Sequence, residues 1–435
     1  MPVVSYRGHT VTDTHPLPRV SAAAPAVGPA VAHGARFAIP SPAAASLSPA
    51  AASLSPDLVP PAAAQAAVRS LGVEEELLLV DPRSGRPVPR AGSLVRRGHG
   101  SVPTGTPAGP FGGLDAELQQ EQLETATPPR TELQDLALDL RRLRRTADDA
   151  ARSVGARIAA LATSPLAVAP RLTPTRRYRA MRQQFGLTCA EQLTCGCHVH
   201  VAVASDDEGV AVLDRVRPWL AVITAIAANS PYWNGSDTGY ASYRTQAWSR
   251  WPSSGPTDVF GSAAAYRAVV DQMVSTGSLL DEAMVYFDAR LSWRYPTVEL
   301  RVADVCLDVD DAVLVAGLAR ALVDTAAAQW RAGVPPSDVP TAVLRLAAWR
   351  ASRSSLGDRL VHPHDLRPRP AVSVVQALFD HVRPALDASG DLAYVEAMLD
   401  RVLARGSGAV RQRAVAVASG RLADVVADAV ERTTG

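Results

Sequence analysis

One signature occurs three times in this chain and limits what it can fold into. Two metal-seeking or phosphate-seeking side chains stand at positions i and i+2, set among apolar residues that favour a β-strand. The stretches are LGVEEELLLV (71–80), GCHVHVAV (196–203) and PTVELRVAD (296–304). Successive strand side chains point to opposite faces, so Glu74 with Glu76, His198 with His200, and Glu299 with Arg301 each project together. Val73, Val199, Val201, Leu300 and Val302 then face a core. A sheet that sends carboxylates, imidazoles and a guanidinium into one cavity has the parts to hold divalent cations against phosphate oxygens. Phosphoryl chemistry is the expectation.

Composition narrows the mechanism. The formal net charge over 435 residues is +1, which offers no field of one sign to draw nucleic acid or an anionic membrane. A small-molecule partner is expected. Every basic residue is arginine, which excludes a Walker-type phosphate loop and Schiff-base chemistry through a lysine amine. Four cysteines, Cys189, Cys195, Cys197 and Cys306, are too few and too clustered for a secreted disulfide framework, and a reducing cytoplasm is the simpler setting. No apolar run has the length of a membrane span, and the N-terminus lacks the layout of a secretory signal.

Residues 1–68 are dominated by Ala, Pro, Ser and Val and repeat AAASLSP at 43–49 and 50–56. With so few large apolar side chains this extension is expected to be disordered, leaving 69–435 as the catalytic domain. Strand 71–80 closes at Asp81-Pro82, and the Gly- and Pro-rich stretch 83–113 reads as a loop or hairpin connection. A capping box from Thr131 to Gln134 and the spacing of Leu133, Leu136, Leu140, Leu143 and Ala147 predict a helix to about 162. Further helices are predicted at about 208–229, along the Leu314, Leu318 and Leu322 stripe, and near 338–355, 371–388, 391–404 and 408–432. The segment 230–252, rich in aromatics and turn formers, follows neither period and is a candidate functional loop. The pattern is α+β, with strands early and helices gathered at the end.

Each motif has a bland reading. An isolated EEE is ordinarily a solvated charge run, but VEEELLLV is too apolar for an exposed strand, and a half-buried carboxylate pair must find cations or donors. His-x-His can chelate a transition metal, and Cys195-x-Cys197-His-x-His offers a rival zinc site that lacks a second knuckle. Glu299 and Arg301 alone would be a surface ion pair. A carboxylate beside an arginine fork also fits a metal-bridged phosphate.

Taken in order, LGVEEELLLVDP, QLETATPP, GCHVHVAV, SPYWNGSDTGYASYRTQAWSRWP, DARLSWRYPTVELRVAD and ASRSSLGDRLVHP resemble the type 2 glutamate-cysteine ligase family. These carboxylate-amine ligases belong to the glutamine synthetase-like superfamily. The resemblance spans 71 to about 432. It implies a curved antiparallel sheet forming a funnel, with flanking helices and a helical C-terminal part, ATP entering one end and the amino acids the other. By similarity, Glu76, Glu124 and Glu117 would hold one magnesium, and Glu74, His198 and Glu299 a second, with manganese as an alternative ion. His200 and Arg301 would lie along the nucleotide phosphates, with Arg301 stabilising the transferring phosphoryl group, and Arg244 would contact substrate or phosphate. Tyr240, Tyr243 and Trp248 are candidates for the pocket wall or for core packing.

The implied reaction is ATP-dependent joining of the glutamate γ-carboxylate to the cysteine amine through an acyl phosphate. It requires no protein nucleophile, so Cys195 and Cys197 are not expected to be catalytic. Arg130 after TPP and the N-terminal extension depart from the family pattern, and neither touches the presumed ligands. Two alternatives stand beside this reading: a carboxylate-amine ligase with another amine or acid, and a metal-binding or regulatory protein that keeps the fold without turnover. A homo-oligomer is compatible with the sequence.

Overall fold

The structure is a computed structural model that describes residues 67–97 and 113–435. Most of the Ala/Pro/Ser-rich extension, and the disorder expected of it, lies outside the described residues.

Seven strands build the main sheet: β1 (Leu71–Val80), β2 (Leu114–Ala116), β3 (Gln122–Ala126), β4 (Arg157–Ala159) and β5 (Gly196–Ala202), followed after the small hairpin β6 (Tyr232–Trp233) and β7 (Ser236–Asp237) by β8 (Ala289–Leu291) and β9 (Thr297–Asp304). Every pairing is antiparallel and the order is β2-β3-β1-β5-β9-β8, with β4 extending the β5 side of β1. β1 explains its own place. Its first half alternates between buried and half-buried residues, whereas Leu77–Val80 are all buried, as expected where a strand is covered on both faces. Val73, Val199, Val201 and Leu300 are buried as predicted and Val302 is half-buried, on the face that packs against helices.

Helices cover that back face. α1 (Ala91–Arg96) falls inside the predicted connection, and α2 (Leu133–Ser153) buries all five residues of the predicted stripe. Two details differ from expectation. Glu132 is the N-cap and makes no side-chain cap bond, so the capping box is not formed. The helix also ends at Ser153, because Gly155 takes a left-handed conformation and Asp148 accepts hydrogen bonds from Ile158 N and Arg157 Nε, drawing the following residues into β4.

α3 (Arg176–Phe185) and α4 (Leu187–Glu191) come next, before β5. The predicted 208–229 helix is broken at Pro218 into α5 (Asp206–Val216) and α6 (Leu220–Ala227). α7 (Tyr243–Trp248) and α8 (Ala263–Ser275) lead to the last two strands of the sheet. α9 (Val309–Arg331) is the central helix, with Leu314, Leu318 and Leu322 almost fully buried. Gly317 lets α2 and the later helix that carries Val395 approach it, since a Cβ there would lie 3.0 Å from both Leu133 and Val395. α10 (Thr341–Ser354), the β10 (Arg359–Val361) and β11 (Pro368–Pro370) pair, α11 (Ala371–Ser389) and α12 (Leu392–Arg405) follow. The predicted 408–432 helix is split at Gly420, also left-handed, into α13 (Gly408–Ser419) and α14 (Leu422–Thr434). No described helix is long and apolar enough to cross a membrane.

Candidate active site

Antiparallel register sets the site. Glu76 pairs with Glu124, which pairs with Asp115 across β3 and β2. Glu74 pairs with His198, His200 with Glu299, and Glu299 with Arg290 of β8. Residues directly opposite share a face, so one row of polar side chains runs across six strands. Cys197 pairs with Ala303 and Val199 with Leu300, so two residues of β9, Arg301 and Val302, oppose His198 alone. This bulge re-aims the strand beside the site, a placement typical of bulges next to functional clefts. The row lines a cavity of about 1050 Å³, walled on its other sides by Tyr178 and Met181 of α3, Trp248, Trp251 and Tyr286.

The ligating atoms fall into two groups, each with its atoms within 4.8 Å of one another: Glu76, Glu117 and Glu124, and Glu74, His200 and Glu299. The first is carboxylate only. Burial and then the Glu117 charge push Glu76 up to about 7, against the pull of Arg244, and burial with Glu117, Glu74 and Glu76 raises Glu124 well above the usual range. Glu76 Oε2 also accepts a hydrogen bond from Gly196 N at 2.6 Å. Crowded acids that retain protons are short of positive charge, and an all-oxygen donor set suits a hard divalent cation.

The second group is balanced by its own neighbours. Arg290 donates to Glu299 from Nε at 2.7 Å and Nη2 at 3.3 Å, and Arg301 Nη1 donates to the same carboxylate. Burial alone would raise Glu299, but Arg290 and Arg301 outweigh it and hold it well below the usual carboxylate range. Burial likewise opposes ionisation of Glu74, which His200 and His198 overcome. His200 Nε2 lies 3.3 Å from Glu74 and its Nδ1 is 3.0 Å from Thr297 Oγ1. Glu74 raises His200 in spite of burial. Burial and Arg301 together lower His198 to about 4, so it is neutral and able to ligate.

Of the residues singled out in the sequence, Glu74, Glu76, Glu117, Glu124, His198, His200, Glu299 and Arg301 all line the one cavity. The membership of the second group differs from expectation. His200 completes the close trio, while His198 stands beside it with Nδ1 3.8 Å from Glu74 and 3.9 Å from Glu299. The Glu299 pairing across the ladder with His200, not His198, is the reason. Arg244 is buried behind the cavity wall, donating from Nη2 to the Arg301 carbonyl at 3.2 Å. Trp248 lines the cavity, whereas Tyr243 packs on Trp233 and Tyr240 takes a hydrogen bond from Trp349 Nε1 at 3.2 Å.

The rival zinc site is not built. Cys195 and Cys197 are buried in the core on the face opposite His198, and no described cysteine belongs to a group of potential metal ligands. Sequence reasoning missed Arg290, Thr297 and Asp115. Arg290 lies in the DARL run of the quoted motif, and only the β8 pairing brings it to Glu299.

Residues 70–428 match the model of the glutamate-cysteine ligase family 2 (GCS2). A Streptomyces coelicolor protein described as "Putative glutamate-cysteine ligase 2" is 50% identical over 366 residues, 84% of this chain and 99% of that protein. A Paenarthrobacter aurescens protein described as "Putative glutamate-cysteine ligase 2-3" is 52% identical over 363 residues, 83% of each chain. The fold matches the crystal structure of glutamate-cysteine ligase from Francisella tularensis in complex with AMP with a TM-score of 0.62 at 14% identity, covering 84% of this chain and 89% of that one. A bifunctional glutathione synthetase from Pasteurella multocida matches at 0.60 and 16% identity, over 84% of this chain and 52% of that one.

The expected antiparallel sheet with a helical C-terminal part is therefore present, in a fold shared with the Francisella tularensis ligase, and the family model places the protein in the glutamate-cysteine ligase class. Within that class the chain belongs to glutamate-cysteine ligase family 2.

Proposed function

We propose that the protein joins the γ-carboxylate of glutamate to the amine of cysteine, with ATP converted to ADP and phosphate. The observation that carries this reading is the convergence of two acid-rich groups and two arginines on one wall of a single cavity. A carboxylate is inert towards amines in water, so its oxygen first attacks the terminal phosphorus of ATP and ADP leaves. The amine nitrogen then attacks the acyl carbon of the mixed anhydride, phosphate departs, and the nitrogen loses a proton.

This chain's part is binding and charge. Glu76, Glu117 and Glu124 would hold one divalent cation and Glu74, His200 and Glu299 another, with His198 at its side. Such ions, magnesium or manganese, would neutralise the phosphate oxygens. Arg301 is gripped between Trp248 and Tyr286, its Cζ 5.8 and 5.9 Å from their ring centres, and supplies a fixed positive charge to the group in transfer. Arg290 shares the Glu299 carboxylate with it, so the acid keeps an arginine partner when Arg301 serves phosphate. Arg244 acts from behind, holding the β9 backbone at Arg301 and bearing on Glu76. The four free buried cysteines are in keeping with a reducing, cytoplasmic setting.

The test is ADP release from the purified chain with Mg²⁺, ATP, glutamate and a panel of amines. Cysteine-dependent ADP together with γ-glutamylcysteine supports the proposal. ADP with a different amine favours the same chemistry on another acceptor. Cation or nucleotide binding without ADP under any combination overturns the ligase reading in favour of a binding protein.

A further inference from the structure

Asp304 ends the third strand motif, on the same strand as Arg301, and stands outside the cavity lining. It is 1% exposed, and its carboxylate holds one neighbouring segment at three points. Oδ2 accepts from Asn229 N at 2.8 Å and from Ser230 Oγ at 2.7 Å, and Oδ1 accepts from Ser242 Oγ at 2.8 Å. Donors of this kind are what a buried carboxylate requires.

Those donors stand at the two ends of the aromatic and turn-rich segment between α6 and α7. The backbone closes the same ring, with Ser230 N donating to the Ala241 carbonyl at 3.0 Å and Tyr243 N to the Ser230 carbonyl at 2.9 Å. Ser230 Oγ, a donor to Asp304, accepts from Arg244 N at 3.0 Å. Ser242, the other hydroxyl donor, is the N-cap of α7 and accepts from Thr245 N. α7 therefore starts from a point fixed on β9.

What α7 carries returns to that strand. Arg244 Nη2 donates to the Arg301 carbonyl at 3.2 Å. The Trp248 ring lies under both guanidiniums, 5.7 Å from Arg244 Cζ and 5.8 Å from Arg301 Cζ. Arg301 needs this support, because it lies in the bulge where two residues of β9 oppose one of β5 and the ladder between them is interrupted. The path from Arg301 along β9 to Asp304, through two serines into α7 and back through Arg244 and Trp248, is a closed circuit.

Resting on the ligase reading above, we infer that Asp304 is a positioning residue for phosphoryl transfer. By clamping α7 to β9 it sets the direction in which the Arg301 guanidinium meets the group in transfer. A misdirected charge weakens the transition state more than the ground state, so the loss of Asp304 falls on kcat and not on KM.

Asp304→Asn keeps the volume of the side chain and presents a donor where one of the three donors now finds an acceptor. In the full chain with Mg²⁺, ATP, glutamate and an amine that releases ADP, it is expected to lower kcat about thirtyfold or more, with KM for ATP changed less than about threefold. A double-mutant cycle with Arg301→Lys, which keeps the charge and loses the planar fork, separates positioning from a general loss of structure. Because Asp304 acts through Arg301, Asp304→Asn in the Arg301→Lys background should cost less than about threefold in kcat. A loss of equal size in both backgrounds, or none in the first, overturns the inference. Should Asp304→Asn fail to fold, Ser242→Ala removes one arm of the clamp and enters the same cycle, with a loss of about fivefold expected only where Arg301 is present; no loss, or the same loss with Arg301→Lys, overturns the inference. If no acid and amine pair releases ADP from the wild type, the ligase reading fails, and the cycle is read in the affinity for ADP with Mg²⁺ and aluminium fluoride, a stand-in for a phosphoryl group in transfer. Weakening by about tenfold with Arg301 and less than about threefold with Arg301→Lys leaves the positioning role standing. Equal weakening in both backgrounds, no weakening, or no binding by the wild type overturns it.

Discussion

Glu75 sits between two cavity acids and does the opposite job. Its carboxylate points into the core and takes two hydrogen bonds from Arg144 of α2, at 2.9 Å from Nε and 2.6 Å from Nη2, with both side chains wholly buried. The Leu307 and Cys306 carbonyls accept from Arg144 Nη1 and Nη2 at 3.0 and 2.7 Å, so four of the five guanidinium N–H groups are hydrogen-bonded. Removing one member of such a pair strands the other charge, at about 3–5 kcal/mol. Glu75→Gln is therefore expected to lower unfolding stability by that amount in urea titrations, while Glu74→Gln, with a half-buried side chain, shifts it far less. The same logic applies to Glu299→Gln. As a cation ligand alone, its loss would spare the fold. As the shared counter-charge of Arg290 and Arg301, it is expected to lower the melting temperature by several degrees and turnover at least a hundredfold, read by thermal scans and ADP release on one preparation. Strand alternation made the inward and outward carboxylates legible in the sequence. Their arginine partners were not, because Glu75 and Arg144 lie 69 positions apart and meet only when α2 packs on the sheet.

At the scale of the elements, β5 works because it begins with a residue that has no side chain. A Cβ on Gly196 would collide with the Arg244 guanidinium and lie 2.9 Å from His198 Nε2, while the Gly196 N–H holds Glu76. Gly196→Ala is expected to cost about 1–3 kcal/mol by overpacking and, by displacing Arg244 from β9, to cut kcat/KM by at least tenfold. Unchanged kinetics in that variant would show that Arg244 is dispensable to the wall. Periodicity located the three site strands and most of the helices, since burial on one face writes itself into spacing. It failed at the joints. Pro218 and Gly420 broke two predicted helices, and Asp148 pulled residues predicted to be helical into β4, a tertiary hydrogen bond that no local window contains. The bulge that offsets His198 from Arg301 is equally invisible, because it belongs to a pairing and not to either strand.

For the whole molecule the open question is where the working chain begins. The family match starts at residue 70, but Arg69 already holds the body together. It pairs with Glu208 of α5 and, at 2.6 Å, with Asp324 of α9, and donates to the Ala202 carbonyl at 2.7 Å at the end of β5. Glu208 is almost fully buried, and its other ion-pair partner, Arg331, is more than half exposed. One arginine thus joins the edge of the site strand to two helices behind it. A chain starting at residue 67 is expected to match the full-length protein in ADP release and melting temperature. A chain starting at residue 70 loses Arg69 and leaves Glu208 with a solvent-screened partner, so it is expected to lose about 1–3 kcal/mol while keeping the register of the sheet. Paired urea titrations of the two truncations check this. Equal stabilities would mean that Arg331 alone satisfies Glu208, and a first truncation that is folded but inactive would place part of the active site before residue 67.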